Sequence, residues 1–150
     1  MAKINLKNLT VLVFSLLLVT SFVLTGCAGT ETVAPPETPS QIIKDITPQE
    51  AVSLIQNNQN NPDFIILDVR TPEEVTGGYI KDATNIDYYP KSFRDELDRL
   101  DKNQTYLIYC RSGARSSNAQ DIMAELNFRE VYNILGGFIR WQAEGLESAS

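Results

Sequence analysis

The chain has 150 residues, enough for one ordinary domain and too few for two of usual size. Its 43% apolar and 21% charged content suits a globular core rather than a disordered or fibrous chain. Histidine is absent, which excludes Cys–His and Ser–His–Asp catalysis and histidine metal sites, and a net charge of −6 with no basic run argues against a nucleic-acid partner.

The first stretch reads as a processing segment. Lys3 and Lys7 form a positive region, and Val11 to Leu24 is apolar and uncharged but short for a membrane span. It ends in Leu24-Thr25-Gly26-Cys27, which resembles the lipobox of bacterial-type lipoproteins. That resemblance implies a signal peptide over residues 1–26 and lipidation, of the palmitate kind, at Cys27. The domain is then held at the cell membrane by a lipid anchor, on the extracytoplasmic side. Loss of Lys3 and Lys7 from the 13 basic side chains leaves 11 against 19 acidic ones, a balance of −8. Residues 27–41, rich in Thr, Glu, Pro, Ser and Gly, are expected to form the lipidated cysteine and a disordered tether.

The folded domain is expected over residues 42–147. Thr47-Pro48-Gln49-Glu50 is a capping box with proline at the first helical position, so a helix starts there and runs to about Gln56. Phe64-Ile65-Ile66-Leu67 is a continuous apolar run, the mark of a central parallel strand, and Asp68-Val69-Arg70 follows it. Thr71-Pro72-Glu73-Glu74 repeats the cap and predicts a short helix stopped by Gly77-Gly78. Thr84-Asn85-Ile86 reads as a brief strand, and Phe93 to Leu100 as an amphipathic helix burying Phe93, Leu97 and Leu100. A strand over 105–109 leads to a helix from about Ala114 to Leu126, with Ala119, Ile122, Met123 and Leu126 inward. Val131 to Leu135 is a further strand, Gly136-Gly137 a turn, and Phe138 to Ala143 a last helix carrying Trp141. Alternating strands and helices predict an α/β domain in three layers, a parallel sheet covered on both faces.

Between the 105–109 strand and its following helix lies Cys110-Arg111-Ser112-Gly113-Ala114-Arg115-Ser116. A cysteine closing a buried strand is ordinary core material, whereas Arg, Ser, Gly and Arg after it are not. A small-residue loop feeding a helix start points backbone N–H groups inward and favours anions. The same field lowers a thiol pKa, so Cys110 reads as a nucleophile, with Arg111 and Arg115 supplying charge for an anionic substrate. If Cys27 carries lipid, Cys110 has no disulfide partner in the mature chain and no resolving cysteine for a CxxC cycle.

Three stretches together resemble the rhodanese family of sulfurtransferases. Leu67-Asp68-Val69-Arg70-Thr71-Pro72-Glu73-Glu74 is similar to its first motif. Cys110 to Ser116 is similar to its active-site loop, and Leu135-Gly136-Gly137 with Trp141 to its closing motif. The resemblance implies a five-stranded parallel sheet flanked by helices, with Cys110 as nucleophile and persulfide carrier. It implies that main-chain N–H groups of Arg111, Ser112, Gly113, Ala114, Arg115 and Ser116 cradle the sulfur and the departing group. Arg115 would bind anionic donor groups, Arg111 would sit at the mouth, and Asp68 and Arg70 would brace the loop. Cysteine-based phosphatases have five residues between Cys and Arg, whereas four separate Cys110 from Arg115, as in sulfurtransferases. One departure stands out. The family commonly has Gly-His-Ile-x-Gly-Ala where this chain has Gly78-Tyr79-Ile80-Lys81-Asp82-Ala83, which makes position 79 structural and bears on the turn at Asp82.

The expected function is a membrane-tethered sulfurtransferase. It would move a sulfane sulfur from thiosulfate or a similar small anionic donor to a thiol or cyanide acceptor. No cofactor, no metal and a monomer are expected. A persulfide- or oxyanion-binding sensor without turnover is the alternative, and a cysteine-dependent phosphatase or arsenate reductase the weaker one.

Overall fold

The computed structural model describes residues 40–150; the signal peptide expected over 1–26, Cys27 and all but the last two positions of the tether expected over 27–41 lie outside them. Five strands, β1 (Ile42–Ile46), β2 (Phe64–Asp68), β3 (Thr84–Asn85), β4 (Thr105–Tyr109) and β5 (Glu130–Ile134), form one sheet. Its order is β1-β5-β4-β2-β3 and every pairing is parallel. The helices are α1 (Pro48–Asn57), α2 (Pro72–Val75), α3 (Phe93–Asp98), α4 (Ala114–Glu125) and α5 (Gly137–Ala143). The three-layer arrangement expected from the alternation is the one observed.

Strand β4 sits at the centre, and its unbroken apolar run follows from burial on both faces. Tyr106, Ile108 and Cys110 pack into one layer with Phe93 and Leu97 of α3 and with Ala119 and Met123 of α4. Leu107 and Tyr109 pack into the other with Ala51 of α1 and with Phe138 and Trp141 of α5. Two threonines start helices as their sequences predict. In both capping boxes the threonine side chain accepts the N–H of the third helical residue, and that glutamate accepts the threonine N–H.

Strand β1 has no counterpart among the elements read directly from the residues. Lys44 and Asp45 interrupt its apolar pattern, and only Ile46 is buried. It is an edge strand, held by pairing with β5 from Ile42↔Glu130 to Ile46↔Ile134. Gln41, just before it, is anchored too, its amide donating to the carbonyls of Ala124 and Phe128 at 3.0 and 2.8 Å.

Asp82 adopts φ +65°, the left-handed conformation that favours glycine and that Asp tolerates better than most side chains. The turn that the family builds with glycine is thus made here with aspartate. Tyr79 exchanges both backbone hydrogen bonds with Ala149, at 2.9 and 2.8 Å.

Candidate active site

Cys110 directly follows β4, at the carboxyl edge of the sheet, where parallel α/β folds place their ligands. Helix α4 begins four residues later, with Gly113 in the left-handed region (φ 98°) at its N-cap. The loop is therefore tight, and it brings the start of α4 over the sulfur. Cys110 is fully buried. The Gly113 N–H donates to its Sγ at 3.1 Å. The Ser116 hydroxyl lies 3.5 Å from Sγ and 3.1 Å from the Gly113 carbonyl. A hydroxyl has one proton, so these two bonds are alternatives, and a thiolate draws the proton to sulfur.

Burial opposes ionisation of Cys110, yet the thiol lies below its ordinary value. Donation from the Ser116 hydroxyl and from the N–H groups of Ser116, Ser112 and Gly113 outweighs the burial. The magnitudes agree with that sign. Hydrogen bonds to a charged group contribute about 1.5–3 kcal/mol each, and four of them offset a desolvation cost of several kcal/mol.

The donors point inward because the carbonyls are held outward. The Phe138 N–H donates to the Cys110 carbonyl at 2.8 Å, and the Ile139 N–H to the Arg111 carbonyl at 3.0 Å. In a planar trans peptide the C=O and the next N–H oppose each other, so fixing these carbonyls against α5 turns the Arg111 and Ser112 N–H groups away from that helix, and the Ser112 N–H acts on the sulfur. The approach demands glycine at 137. A Cβ there would lie 2.4 Å from the Cys110 carbonyl oxygen and 2.8 Å from that of Arg111, at φ +58°.

The two arginines differ in setting. Arg111 is exposed and makes no ion pair among the described residues. Arg115 is held fork-on by Glu74, Nη1 to Oε2 at 2.7 Å and Nη2 to Oε1 at 2.8 Å, and its guanidinium lies 5.4 Å from the Tyr89 ring centre. The Arg115 hydrogen bonds bring the Glu74 carboxyl down to about 2 against the cost of burial. Ser112 and Ala114 are exposed on the loop's outer surface and Ser116 is buried beneath it.

Asp68 and Arg70 form a buried ion pair at 2.6 Å. Arg70 also donates to the carbonyls of Gly78 (2.8 Å) and Glu74 (3.3 Å), and its guanidinium stacks 4.2 Å from the Phe138 ring centre. The pair has no hydrogen bond to Cys110. It ties β2 to the two segments that hold the loop, α2 through Glu74 and α5 through Phe138.

Two features escaped the sequence reading. Glu74 carries a visible signal, its capping box, but nothing local marks it as the partner of Arg115. The backbone N–H groups of Phe138 and Ile139 carry no side-chain signal; only the Gly136-Gly137 doublet before them hints at a close approach.

Residues 47–144 match the family model described as a rhodanese-like domain. A sulfurtransferase of Allochromatium vinosum is 34% identical over 97 residues, covering 65% of this chain and 89% of the relative. The thiosulfate sulfurtransferase GlpE of Coxiella burnetii is 29% identical over 100 residues, covering 67% and 88%. The crystal structure of a rhodanese-like domain protein from Staphylococcus aureus superposes with a TM-score of 0.55 at 33% identity, covering 71% of this chain and 99% of that one. With its sheet order, its cysteine loop and these relatives in agreement, the chain belongs to the rhodanese-like domain family and is an enzyme of the rhodanese type.

Proposed function

We propose that the protein is a membrane-tethered sulfurtransferase that carries one sulfur atom as a persulfide on Cys110. The observation that carries this reading is the Cys110 sulfur held by inward N–H groups and by the Ser116 hydroxyl, with its thiol below the ordinary value although no histidine exists to act as base. A thiolate so made is a nucleophile and, once loaded, the same donors hold the outer sulfur. The Coxiella relative is named for thiosulfate, which is the natural first donor to test.

The cycle balances without a proton or a cofactor. The Cys110 thiolate attacks the sulfane sulfur of thiosulfate, the donor's S–S bond breaks, and sulfite leaves with the bonding pair. Cyanide or a thiolate then attacks the outer sulfur of the Cys110 persulfide and regenerates the Cys110 thiolate. With cyanide the product is thiocyanate. The backbone N–H groups of Ser112, Gly113 and Ser116 face the charge that moves along this sulfur chain. Arg111 meets the anion at the mouth, and Arg115 stands behind it with its charge shared by Glu74.

Cyanide-dependent thiocyanate production from thiosulfate is the test. The Cys110→Ser chain should lose it by roughly a thousandfold or more. A persulfide mass increment with no turnover would instead assign a carrier or sensor, and hydrolysis of phosphate esters would overturn the reading. Membrane attachment is part of the proposal and rests on Leu24-Thr25-Gly26-Cys27. A Cys27→Ala chain that remains membrane-bound after signal processing would refute it.

A further inference from the structure

Glu74 serves two partners. Its carboxylate closes the Thr71 capping box, accepting the Thr71 N–H at 3.2 Å. It also engages both terminal nitrogens of Arg115, at 2.7 and 2.8 Å. A capping box needs only a side-chain acceptor, and glutamine fills that role as well as glutamate. The cap therefore does not account for the negative charge. The pair is partly shielded, with side-chain exposures of 15% for Arg115 and 27% for Glu74. Charges so placed are screened less than at an open surface. Arg115 thus offers an incoming anion neither net charge nor an unshared fork of donors. Arg111, exposed and without an ion pair among the described residues, remains as the uncompensated cation of the loop.

We propose that Glu74 is a specificity-determining residue: by neutralising Arg115 it limits the free positive charge beside Cys110 to that of Arg111, and so turns the site toward donors with one negative charge over donors with two. The word donor rests on the sulfurtransferase reading; the electrostatic effect applies to any anion that reaches the sulfur. Thiosulfate is a dianion that must approach both the Cys110 thiolate and the Glu74 carboxylate. An organic thiosulfonate presents the same sulfane sulfur on a monoanion and meets less repulsion.

Two alkylating agents separate charge from reactivity in the full chain. Iodoacetate is an anion and iodoacetamide is neutral, and both need the thiolate, so the ratio of their rates at Cys110, read by peptide mass, reports the field at the mouth. Glu74→Gln keeps the cap and frees the charge of Arg115. It should raise the iodoacetate-to-iodoacetamide ratio by roughly three- to tenfold at low salt, with the rise shrinking at high salt. The double variant Glu74→Gln/Arg115→Gln leaves the net charge of the pair unchanged and should stay within about twofold of the native ratio. An unmoved ratio in Glu74→Gln, or a double variant several-fold below native, overturns the proposal, and the double variant decides alone if the single one does not fold. In turnover, Glu74→Gln should lower KM for thiosulfate more than KM for methanethiosulfonate, with kcat less affected; equal changes in the two KM values also overturn it. If no donor turns over, the sulfur-transfer reading fails while the alkylation ratio still tests Glu74.

Discussion

Cys110 is an acidic thiol made without a base. Burial alone would push it the other way, so its reactivity depends on the number and aim of the donors around Sγ. Ser116 is the one side chain among them, which makes it the cleanest lever. In Ser116→Ala the thiol should titrate at higher pH. Because the thiolate is the reacting form, the acid limb of the alkylation profile should move to higher pH, and the rate at neutral pH should fall by roughly three- to tenfold. An unmoved profile would mean that the backbone N–H groups suffice. Much at this scale is legible in the residues: the loop composition, the spacing from Cys110 to Arg115 and the missing histidine all point to the thiol. Glu74 is not legible, because its capping box is a pattern of four neighbours whereas Arg115 lies 41 positions away.

At the scale of elements, the loop is a surface laid against α5. The N–H groups of Phe138 and Ile139 take the carbonyls of Cys110 and Arg111, and only a residue without a Cβ lets the backbones come so close. Gly137→Ala should therefore cost about 2–4 kcal/mol in urea unfolding and abolish sulfur transfer, through overpacking and a strained φ together. Retained activity in that variant would show that the loop does not need this support. The capped helices and the doubly buried strands are readable in advance because proline, threonine, glutamate and apolar runs are local signals. Strand β1 is not, since its charged middle resembles a loop and its extended form comes from pairing with β5. Gln120 is a similar case. It is buried in α4, and its amide is satisfied by the Lys44 and Val131 carbonyls, partners that a helical pattern cannot reveal.

For the molecule as a whole, the Glu74–Arg115 pair makes stability depend on acid. The Glu74 carboxyl falls from the usual 4.5 to about 2 on folding. It therefore contributes stability in full above its unfolded value, and that contribution drains away as pH falls from 4.5 through about 2. Urea midpoints measured down this range should fall more for the native chain than for Glu74→Gln, the two curves converging at the acid end. Parallel curves would contradict the assignment. The three-layer fold and the position of the thiol at the sheet edge follow from alternation of elements, and they are the most legible features of all; how remote segments clamp the loop is a tertiary matter that no local pattern records. The clamp also sets an order in time. Synthesis delivers Cys110 and Arg111 well before Phe138 and Ile139, so a growing chain holds a loop whose carbonyls have no donors and whose N–H groups have no fixed aim. Until α5 docks, Cys110 has only its local partners Gly113 and Ser116, and the nucleophile is fully armed once that helix is in place.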